Sequence, residues 1–338
     1  DPLATRQQIA KAARLDADDV TVHTPLLGGG FGRRFPQYCQ IADQAGKIAA
    51  QCPWPVKLIW SREQEVSHGA YRCISSAALT GAVDAKGNMA AWRTDYVQGE
   101  DAERETRFNY ARPAVSRRYF PFKTNQNDGF WRAVNSNQLG FYHESFVDEL
   151  AHLAGEDPYR FRRRHMQPGS RQMRVLDEVA KRSGWGTPLP EGVGRGIALV
   201  ESFGTIVAEV VEAGLREDGF PQVRKVHAVV DCGMAVNPRN AEAQVQGAIV
   251  MGLSSAIGEE ISLEGGAVVQ SNFHDYPLLR LAETPPVVDV HFLASDAPLG
   301  GIGEPGLPPA APALANALFV ATGKRVRSLP IRAQAKAD

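Results

Sequence analysis

Two short turn sequences restrict the fold of this chain more than any other feature. Asp84-Ala85-Lys86-Gly87 separates two strand-like segments, residues 76–83 and 89–97, and Glu217-Asp218-Gly219 follows a third. Loops this short join antiparallel strands, because a parallel connection needs a crossover of a dozen or more residues. The turns therefore predict antiparallel pairing. The strands predicted around the second turn are residues 197–211 and 223–230.

Helical periodicity between these strands predicts an α+β fold, in which mostly antiparallel strands pack with helices. Helices are predicted where apolar residues recur three and four positions apart, and strands where apolar and polar residues alternate. The predicted helices lie near residues 9–13, 38–48, 142–153, 173–180 and 241–257, and before Gly323. Further strands are predicted at residues 20–22, 56–60 and 288–293, and near Val268.

The length of 338 residues exceeds the usual size of one domain, so we expect two. The segment 185–196 contains two prolines and four glycines, a composition typical of a domain boundary. We therefore expect one domain at residues 1–185 and a second at 196–338.

Charge and hydropathy argue against nucleic-acid and membrane-spanning roles. The formal net charge is -1, which gives no general attraction to nucleic acid. The arginines of segment 160–164 follow Asp157-Pro158, a typical helix start, so we interpret them as a solvated helix face or a partner contact. No apolar run approaches the roughly 20 residues of a spanning helix, and the first residues do not resemble a signal peptide.

The sequence starts at Asp1 rather than at a methionine, and a helical pattern follows almost at once. We therefore expect the chain to be part of a longer polypeptide whose upstream half is absent here. Neither the cysteines nor the histidines show the spacing of metal ligands, so we expect no side-chain metal site and no iron–sulfur cluster in this chain. The four cysteines are Cys39, Cys52, Cys73 and Cys232.

A glycine run, Gly28-Gly29-Gly30-Phe31-Gly32, is the first candidate for a ligand site. Backbone amides without neighbouring Cβ atoms can approach an anion closely. A tight structural turn explains the run equally well. Arg33 stands where a dinucleotide fingerprint has its third glycine, and the Gly-Lys-Ser/Thr of a phosphate loop is absent.

Two charged side chains in unusual surroundings are the next candidates. Arg132, within Phe130-Trp131-Arg132, suits fixed hydrogen bonding of an oxygen-rich ligand, although a surface arginine stacked on Trp131 is an alternative. Glu304 lies within Gly301-Ile302-Gly303-Glu304-Pro305, and apolar surroundings would make this carboxylate a useful general base. An exposed glutamate on a flexible loop is the alternative, but the prolines that follow argue for rigidity.

Four motifs occur in a fixed order along the chain, and a fifth segment accompanies them. The motifs are Gly28-Gly29-Gly30-Phe31-Gly32, Phe130-Trp131-Arg132, Asn237-Pro238 with Gln244-Val245-Gln246-Gly247, and Gly301-Ile302-Gly303-Glu304-Pro305, and the fifth segment is Ser271-Asn272-Phe273-His274-Asp275-Tyr276-Pro277. This set resembles the motifs of the xanthine oxidase and aldehyde oxidase family of molybdenum hydroxylases. The combination is much more specific than any single motif, and its details are most similar to the isoquinoline oxidoreductase large-subunit branch.

The resemblance implies a molybdenum–molybdopterin cofactor, in this branch the cytosine dinucleotide form. It implies that Glu304 is the catalytic base, which accepts a proton while water-derived oxygen is added to an electron-poor carbon. Molybdenum in this family needs no protein side chain as a ligand. The implied cofactor-binding residues are Gly29, Gly30, Phe31, Gly32, Arg132, Gln244 and Gly303.

Two departures from the family pattern bear on function. Phe35 stands where xanthine-oxidising members have a glutamate, which favours an aldehyde or an N-heteroaromatic over a purine. The family's Gly-Gln-Gly cofactor motif is absent, so the upstream half of the large subunit would complete the pocket. The resemblance also implies a small subunit with two [2Fe-2S] clusters, a cytochrome c as candidate electron acceptor, and a periplasmic or else cytoplasmic location.

Two other functions remain open from the sequence. The chain could be a noncatalytic remnant or interaction module that keeps the fold without the cofactor. It could instead be a nicotinamide- or flavin-dependent oxidoreductase built on the glycine run, although the missing third glycine argues against this reading.

Overall fold

A computed structural model describes residues 1–38, 40–99, 108–111, 114–122 and 124–331. The helices are α1 (Pro2–Ala13), α2 (Gln40–Ala49), α3 (Arg62–His68), α4 (Val134–Leu153), α5 (Pro158–Arg164), α6 (Arg171–Arg182), α7 (Pro238–Ile257) and α8 (Ala310–Thr322). The strands are β1 (Ser76–Val83), β2 (Met89–Gln98), β3 (Ala114–Pro121), β4 (Val193–Ser202), β5 (Thr205–Leu215), β6 (Pro221–Asp231), β7 (Leu263–Glu264), β8 (Ala267–Val268) and β9 (Val288–Phe292).

The chain forms two compact units, each assembled from segments that are distant in sequence. The predicted boundary, residues 185–196, lies within unit 2, so the division into 1–185 and 196–338 stays a prediction about sequence domains. Unit 1 comprises Asp1–Ile74, Lys123–Val134 and Ile261–Tyr276, and unit 2 comprises Ser75–Phe122, Asn135–Glu260 and Pro277–Asp338.

Unit 1 consists of helices α1 to α3, the small β7–β8 hairpin and long irregular segments. Two strands predicted here are wrong, because residues 20–22 and 56–60 form no strand. Val20 has extended backbone angles, φ -109° and ψ 122°, but no described segment pairs with it in a ladder. The alternation of apolar and polar residues correctly indicates extended backbone at Val20. A β-strand also requires a hydrogen-bonded neighbouring strand, which the sequence pattern does not reveal.

Unit 2 contains two larger sheets, and their pairing is mostly antiparallel as predicted. The first has the order β1-β2-β3 and the second β4-β5-β6-β9, with parallel pairing between β2 and β3 and between β6 and β9. The predicted hairpin between β1 and β2 is present, and Asp84 Oδ1 accepts the backbone N–H groups of Lys86 and Asn88, each at 2.8 Å. Residues 197–211 contain a tight turn at Phe203-Gly204 that separates β4 from β5.

The second sheet of unit 2 is buried on both faces. One face packs in an apolar cluster with α7 and α8, and the other packs in a cluster with residues of α4, α5 and α6. Gly194 and Gly196 of β4 permit the close approach of α8, since a Cβ at these positions would lie 2.1 Å from Ala317 O and 2.2 Å from Ala313 O. Larger residues at either position would push α8 off the sheet.

A buried ionic network joins α4, α5 and β4. Arg162 is fully buried, and its Nε donates to Glu144 Oε2 at 2.9 Å while Nη2 donates to Glu144 O at 2.8 Å. The Glu144 carboxylate also accepts the Tyr110 hydroxyl at 2.8 Å and the Leu199 N–H at 3.0 Å. Complete hydrogen bonding of this kind is what makes a buried ion pair tolerable.

Candidate functional site

The glycine run forms an irregular loop in unit 1 with left-handed backbone at three positions. The φ angles are +120° at Gly29, +52° at Phe31 and +90° at Gly32. A Cβ at Gly32 would lie 2.5 Å from Phe130 O, so this glycine allows the loop to contact the segment that carries Arg132. Phe31, a bulky residue with positive φ, is strained, and such strain is concentrated at ligand sites.

The amides of this loop are available to a ligand. Arg33 N–H donates to Gly30 O at 2.9 Å, which closes a turn. Within residues 1–38 and the other described segments, no backbone hydrogen bond uses the N–H of Gly29, Gly30 or Gly32 as donor. Unpaired backbone N–H groups of glycine are typical donors to a bound anion.

Arg132 lies beside this loop in the same unit and is 7% exposed. Its guanidinium carbon is 5.8 Å from the centroid of the Phe31 ring, within the range of a cation–π contact. The alternative of a surface arginine stacked on Trp131 is wrong for Arg132. It is Arg72 that stacks on Trp131, at 4.2 Å.

Arg72 is a residue that the sequence reasoning missed. Its guanidinium donates to Val134 O at 3.0 Å and to Arg132 O at 3.3 Å, so it holds the backbone on both sides of Ala133. Ala133 and Val134 have φ angles of +73° and +45°, which are costly for residues other than glycine. Sixty residues separate Arg72 from Arg132, so no local pattern could have revealed the pair.

The remaining predicted residues lie in unit 2. Gln244 is an exposed residue of α7, and Gly303 and Glu304 are half-buried in the loop before α8. A Cβ at Gly303 would lie 3.9 Å from Gln244 Oε1, so the Gln244 side chain lies next to the Gly303 backbone. The structure therefore groups Gly29, Gly30, Phe31, Gly32 and Arg132 within unit 1, and Gln244, Gly303 and Glu304 within unit 2.

Phe35 belongs to an aromatic cluster of unit 1. Its ring meets those of Tyr38 and Phe130 edge-on, with centroid distances of 6.4 Å and 5.9 Å. It is 45% exposed. The position where a glutamate would favour purines is thus occupied by an aromatic side chain with aromatic neighbours.

The donor set of unit 1 fits an oxygen-rich anionic cofactor. Backbone amides and a buried guanidinium donate hydrogen bonds to phosphate or oxo groups but do not ligate a metal directly. Among the residues described, no group of three or more His, Cys, Asp or Glu side chains could hold a metal ion. Molybdopterin suits such a site because the pterin, rather than the protein, would supply the metal's ligands.

No helix in the described part of the chain combines the length and the apolar character that crossing a membrane requires.

Comparison with protein families identifies the class of the fold. Two models described as molybdopterin cofactor-binding domains match residues 1–166 and 182–285. Quinoline 2-oxidoreductase from Pseudomonas putida 86 has the same fold, with a TM-score of 0.84 at 13% identity over 98% of this chain and 70% of that one. The chain is therefore built from molybdopterin-binding domains.

Sequence relatives place the chain within that class. The isoquinoline 1-oxidoreductase subunit beta of Brevundimonas diminuta is 30% identical over 93% of this chain, and a Gluconacetobacter polyoxogenes protein named membrane-bound aldehyde dehydrogenase [pyrroloquinoline-quinone] is 30% identical over 96%. The chain spans 43% and 47% of their respective lengths. It belongs to the molybdenum hydroxylases of the xanthine oxidase family, as the sequence motifs predicted.

Proposed function

We propose that this chain is the molybdopterin-binding part of a molybdenum hydroxylase that oxidises an aldehyde or an N-heteroaromatic with oxygen derived from water. The observation that carries the proposal is the pairing, within unit 1, of available amides at Gly29, Gly30 and Gly32 with the buried Arg132. Backbone N–H groups and a guanidinium are donors that suit the anionic oxygens of a cofactor, and unit 1 places both in neighbouring segments.

In unit 1, the amides of Gly29, Gly30 and Gly32 would hydrogen-bond the cofactor's anionic oxygens, with Phe31 packing beside them and Arg132 adding charge-assisted bonds. In unit 2, Gln244 and Gly303 are proposed as further cofactor contacts. When bound, the molybdenum–pterin group supplies the acceptor for two electrons and the activation of water. We assign the cytosine dinucleotide form from the branch that the motifs resemble.

Glu304 is the proposed general base. In the net reaction a C–H bond is replaced by C–OH, water supplies the oxygen, and two protons and two electrons are released. One of these protons passes to a carboxylate oxygen of Glu304 as water-derived oxygen bonds to the substrate carbon. Glu304 is half-buried, Pro305 follows it, and its carbonyl oxygen accepts the Leu307 N–H at 3.0 Å, which supports a fixed backbone at this position.

The aromatic cluster supports the proposed substrate class. Phe35, Tyr38 and Phe130 offer ring edges and faces instead of the carboxylate that would select a purine. A flat apolar substrate, such as an aromatic aldehyde or an isoquinoline-like heterocycle, matches this surface. The names of the relatives, which refer to isoquinoline and to aldehydes, support the same choice.

Further chains would complete the enzyme. Because the relatives are about twice as long, we propose that an upstream half of the large subunit provides the rest of the cofactor pocket. A small subunit with [2Fe-2S] clusters would take the two electrons onward, with a cytochrome c as acceptor, and the periplasm is the proposed compartment.

Other redox cofactors have less support. The Gluconacetobacter relative is named for a quinone, but both matching family models are molybdopterin-binding domains. A nicotinamide or flavin would need a dinucleotide loop, and Arg33 replaces its third glycine. A noncatalytic remnant of the fold is the remaining alternative, and it is an outcome of the following experiment.

The test is Glu304→Gln in the complete enzyme, which keeps the side-chain shape but cannot accept the proton. We expect turnover to fall by about 10²- to 10⁴-fold with the molybdenum content unchanged. Steady-state kinetics and elemental analysis measure the two quantities. Glu217→Gln, at an exposed turn of the same unit, is the matched control and should behave as the parent.

Full activity in Glu304→Gln would refute the role of Glu304. Absence of molybdenum and of turnover from the complete parent enzyme would favour the noncatalytic remnant.

A further inference from the structure

The turn between β4 and β5 holds the loop that carries Glu304. Gly301 N–H donates to Phe203 O at 2.8 Å, and Thr205 Oγ1 donates to Gly301 O at 2.6 Å. The turn thus bonds both the N–H and the carbonyl group of Gly301, the first through the Phe203 carbonyl and the second through the Thr205 hydroxyl. All of these residues belong to unit 2, and Thr205 is completely buried.

Contact between the turn and the loop is too close for side chains. A Cβ at Gly300 would lie 2.2 Å from Thr205 Oγ1 and 2.8 Å from Gly204 O. At Gly301 it would lie 3.1 Å from Phe203 Cβ. The glycines of this motif therefore serve close packing on the turn as well as any contact with the cofactor.

The turn itself has an uncommon backbone. Phe203 and Gly204 have φ angles of +53° and +76°. A phenylalanine with positive φ is an outlier that persists where the surrounding structure determines it strongly. The pairing of Ser202 with Thr205 and the two hydrogen bonds to Gly301 support this geometry. The adjacent loop is also held by Gly300 N–H, which donates to Cys232 O at 3.0 Å.

The other end of the loop is fixed by α7. A Cβ at Gly306 would lie 3.1 Å from Val245 O, so the backbone at Gly306 lies directly on the helix. Leu307 N–H donates to Glu304 O at 3.0 Å and closes the turn that leads into α8. Glu304 is therefore located between two anchored points, with Thr205 at the first and α7 at the second.

We propose that Thr205 is a positioning residue for Glu304, and that its hydroxyl holds the loop so that the carboxylate keeps its reactive placement. This inference rests on the proposed role of Glu304 as base. Small displacements of a general base reduce the rate of proton transfer far more than they reduce binding of the substrate. The effect of Thr205 is therefore on kcat rather than on KM.

Thr205→Val is the test, because valine keeps the shape and removes the hydroxyl. In the complete enzyme we expect kcat to fall roughly tenfold, with KM and molybdenum content within about twofold of the parent. Amide hydrogen exchange in residues 300–304 should become faster, a readout independent of activity. Thr205→Ser retains the hydroxyl, so we expect it to have the kcat of the parent and the parent's rate of amide exchange in residues 300–304.

Thr94→Val is the matched control. Thr94 is also buried, and its hydroxyl accepts the Trp92 indole N–H at 2.7 Å on β2. Loss of the Thr94 hydroxyl should lower the stability of the fold without changing kcat or amide hydrogen exchange in residues 300–304. If Thr205→Val does not fold, Gly300→Ala, which forces the loop away from Thr205 Oγ1, is measured by the same criteria.

A double mutant separates this inference from the proposed function. If Glu304 is the base, adding Thr205→Val to Glu304→Gln should reduce the residual rate by less than about twofold. Positioning by Thr205 is refuted if Thr205→Val and Gly300→Ala both have the kcat and the exchange rates of Thr94→Val. If Glu304→Gln is inactive in the same series, the proposed role of Glu304 as base is retained. If Glu304→Gln is fully active, the proposed role of Glu304 as base fails, and the positioning role of Thr205 that rests on it fails as well.

Discussion

Unit 2 contains a four-stranded sheet whose central strands, β5 and β6, are largely buried on both faces. Unit 1 has helices α1 to α3, a hairpin of two-residue strands and long irregular segments. The non-glycine residues with positive φ in the loops proposed to bind the cofactor, Phe31, Ala133 and Val134, all belong to unit 1. A packed scaffold tolerates substitution of its loops, but a loop region needs a ligand to complete its interactions. We therefore expect mutations in the buried core of unit 2 to change folding first, and those around Arg132 to change cofactor binding first.

The largest expected effect on stability comes from Arg162→Ala in unit 2. The substitution leaves the Glu144 carboxylate buried without its cation, which costs about 3–5 kcal/mol of unfolding free energy. Chemical denaturation followed by circular dichroism measures the loss. Arg163→Ala is the control. The Arg163 side chain is next in sequence to Arg162, is 49% exposed and pairs with Asp177 at the surface.

For Arg163→Ala we expect a loss of at most about 1 kcal/mol. Equal losses in the two arginine variants would contradict the view that a buried network organises unit 2.

A smaller effect on stability, of opposite sign, is expected when a second buried glutamate of unit 2, Glu209, is replaced by glutamine. Glu209 on β5 is fully buried, and neither of its carboxylate oxygens has a hydrogen-bond partner in the described structure. Its strand neighbours are Ala198 and Ala228, and α8, which covers this face, contains no titratable side chain. Burial therefore raises the pKa of Glu209 well above its usual value.

The raised pKa makes stability depend on pH. In the unfolded chain this carboxyl ionises above about pH 4.3, while in the folded chain it stays protonated to higher pH. Its contribution to stability is complete below the unfolded pKa and is lost as pH rises toward the folded pKa. Glu209→Gln removes this loss, so the variant should be more stable than the parent near neutrality.

We expect the variant to be more stable than the parent at pH 7.5, and the difference in unfolding free energy to be smaller near pH 4.5. Denaturation at both values measures it. A difference between variant and parent that does not change with pH would show that Glu209 is ionised, or that another group compensates it.

The same contrast explains what the sequence could predict. The helices and hairpins of unit 2 follow from local periodicity and turn residues, as α7 with its Asn237-Pro238 start and the Asp84 turn illustrate. The predicted strands at 20–22 and 56–60 failed in unit 1, where extended backbone has no pairing partner. Arg72 and Thr205 were missed because their partners lie 60 and 96 residues away.

The central claim is that unit 1 binds molybdopterin through Arg132 and the adjacent glycine loop. Molybdenum and pterin should be quantified together in the complete enzyme from the parent, Arg132→Ala and Arg62→Ala, the last being a half-exposed arginine of α3 in the same unit. We predict equimolar molybdenum and pterin in the parent and in Arg62→Ala, and at least a tenfold weaker retention in Arg132→Ala, since loss of about 1.4 kcal/mol suffices for a factor of ten. Unchanged cofactor content in Arg132→Ala would contradict the claim.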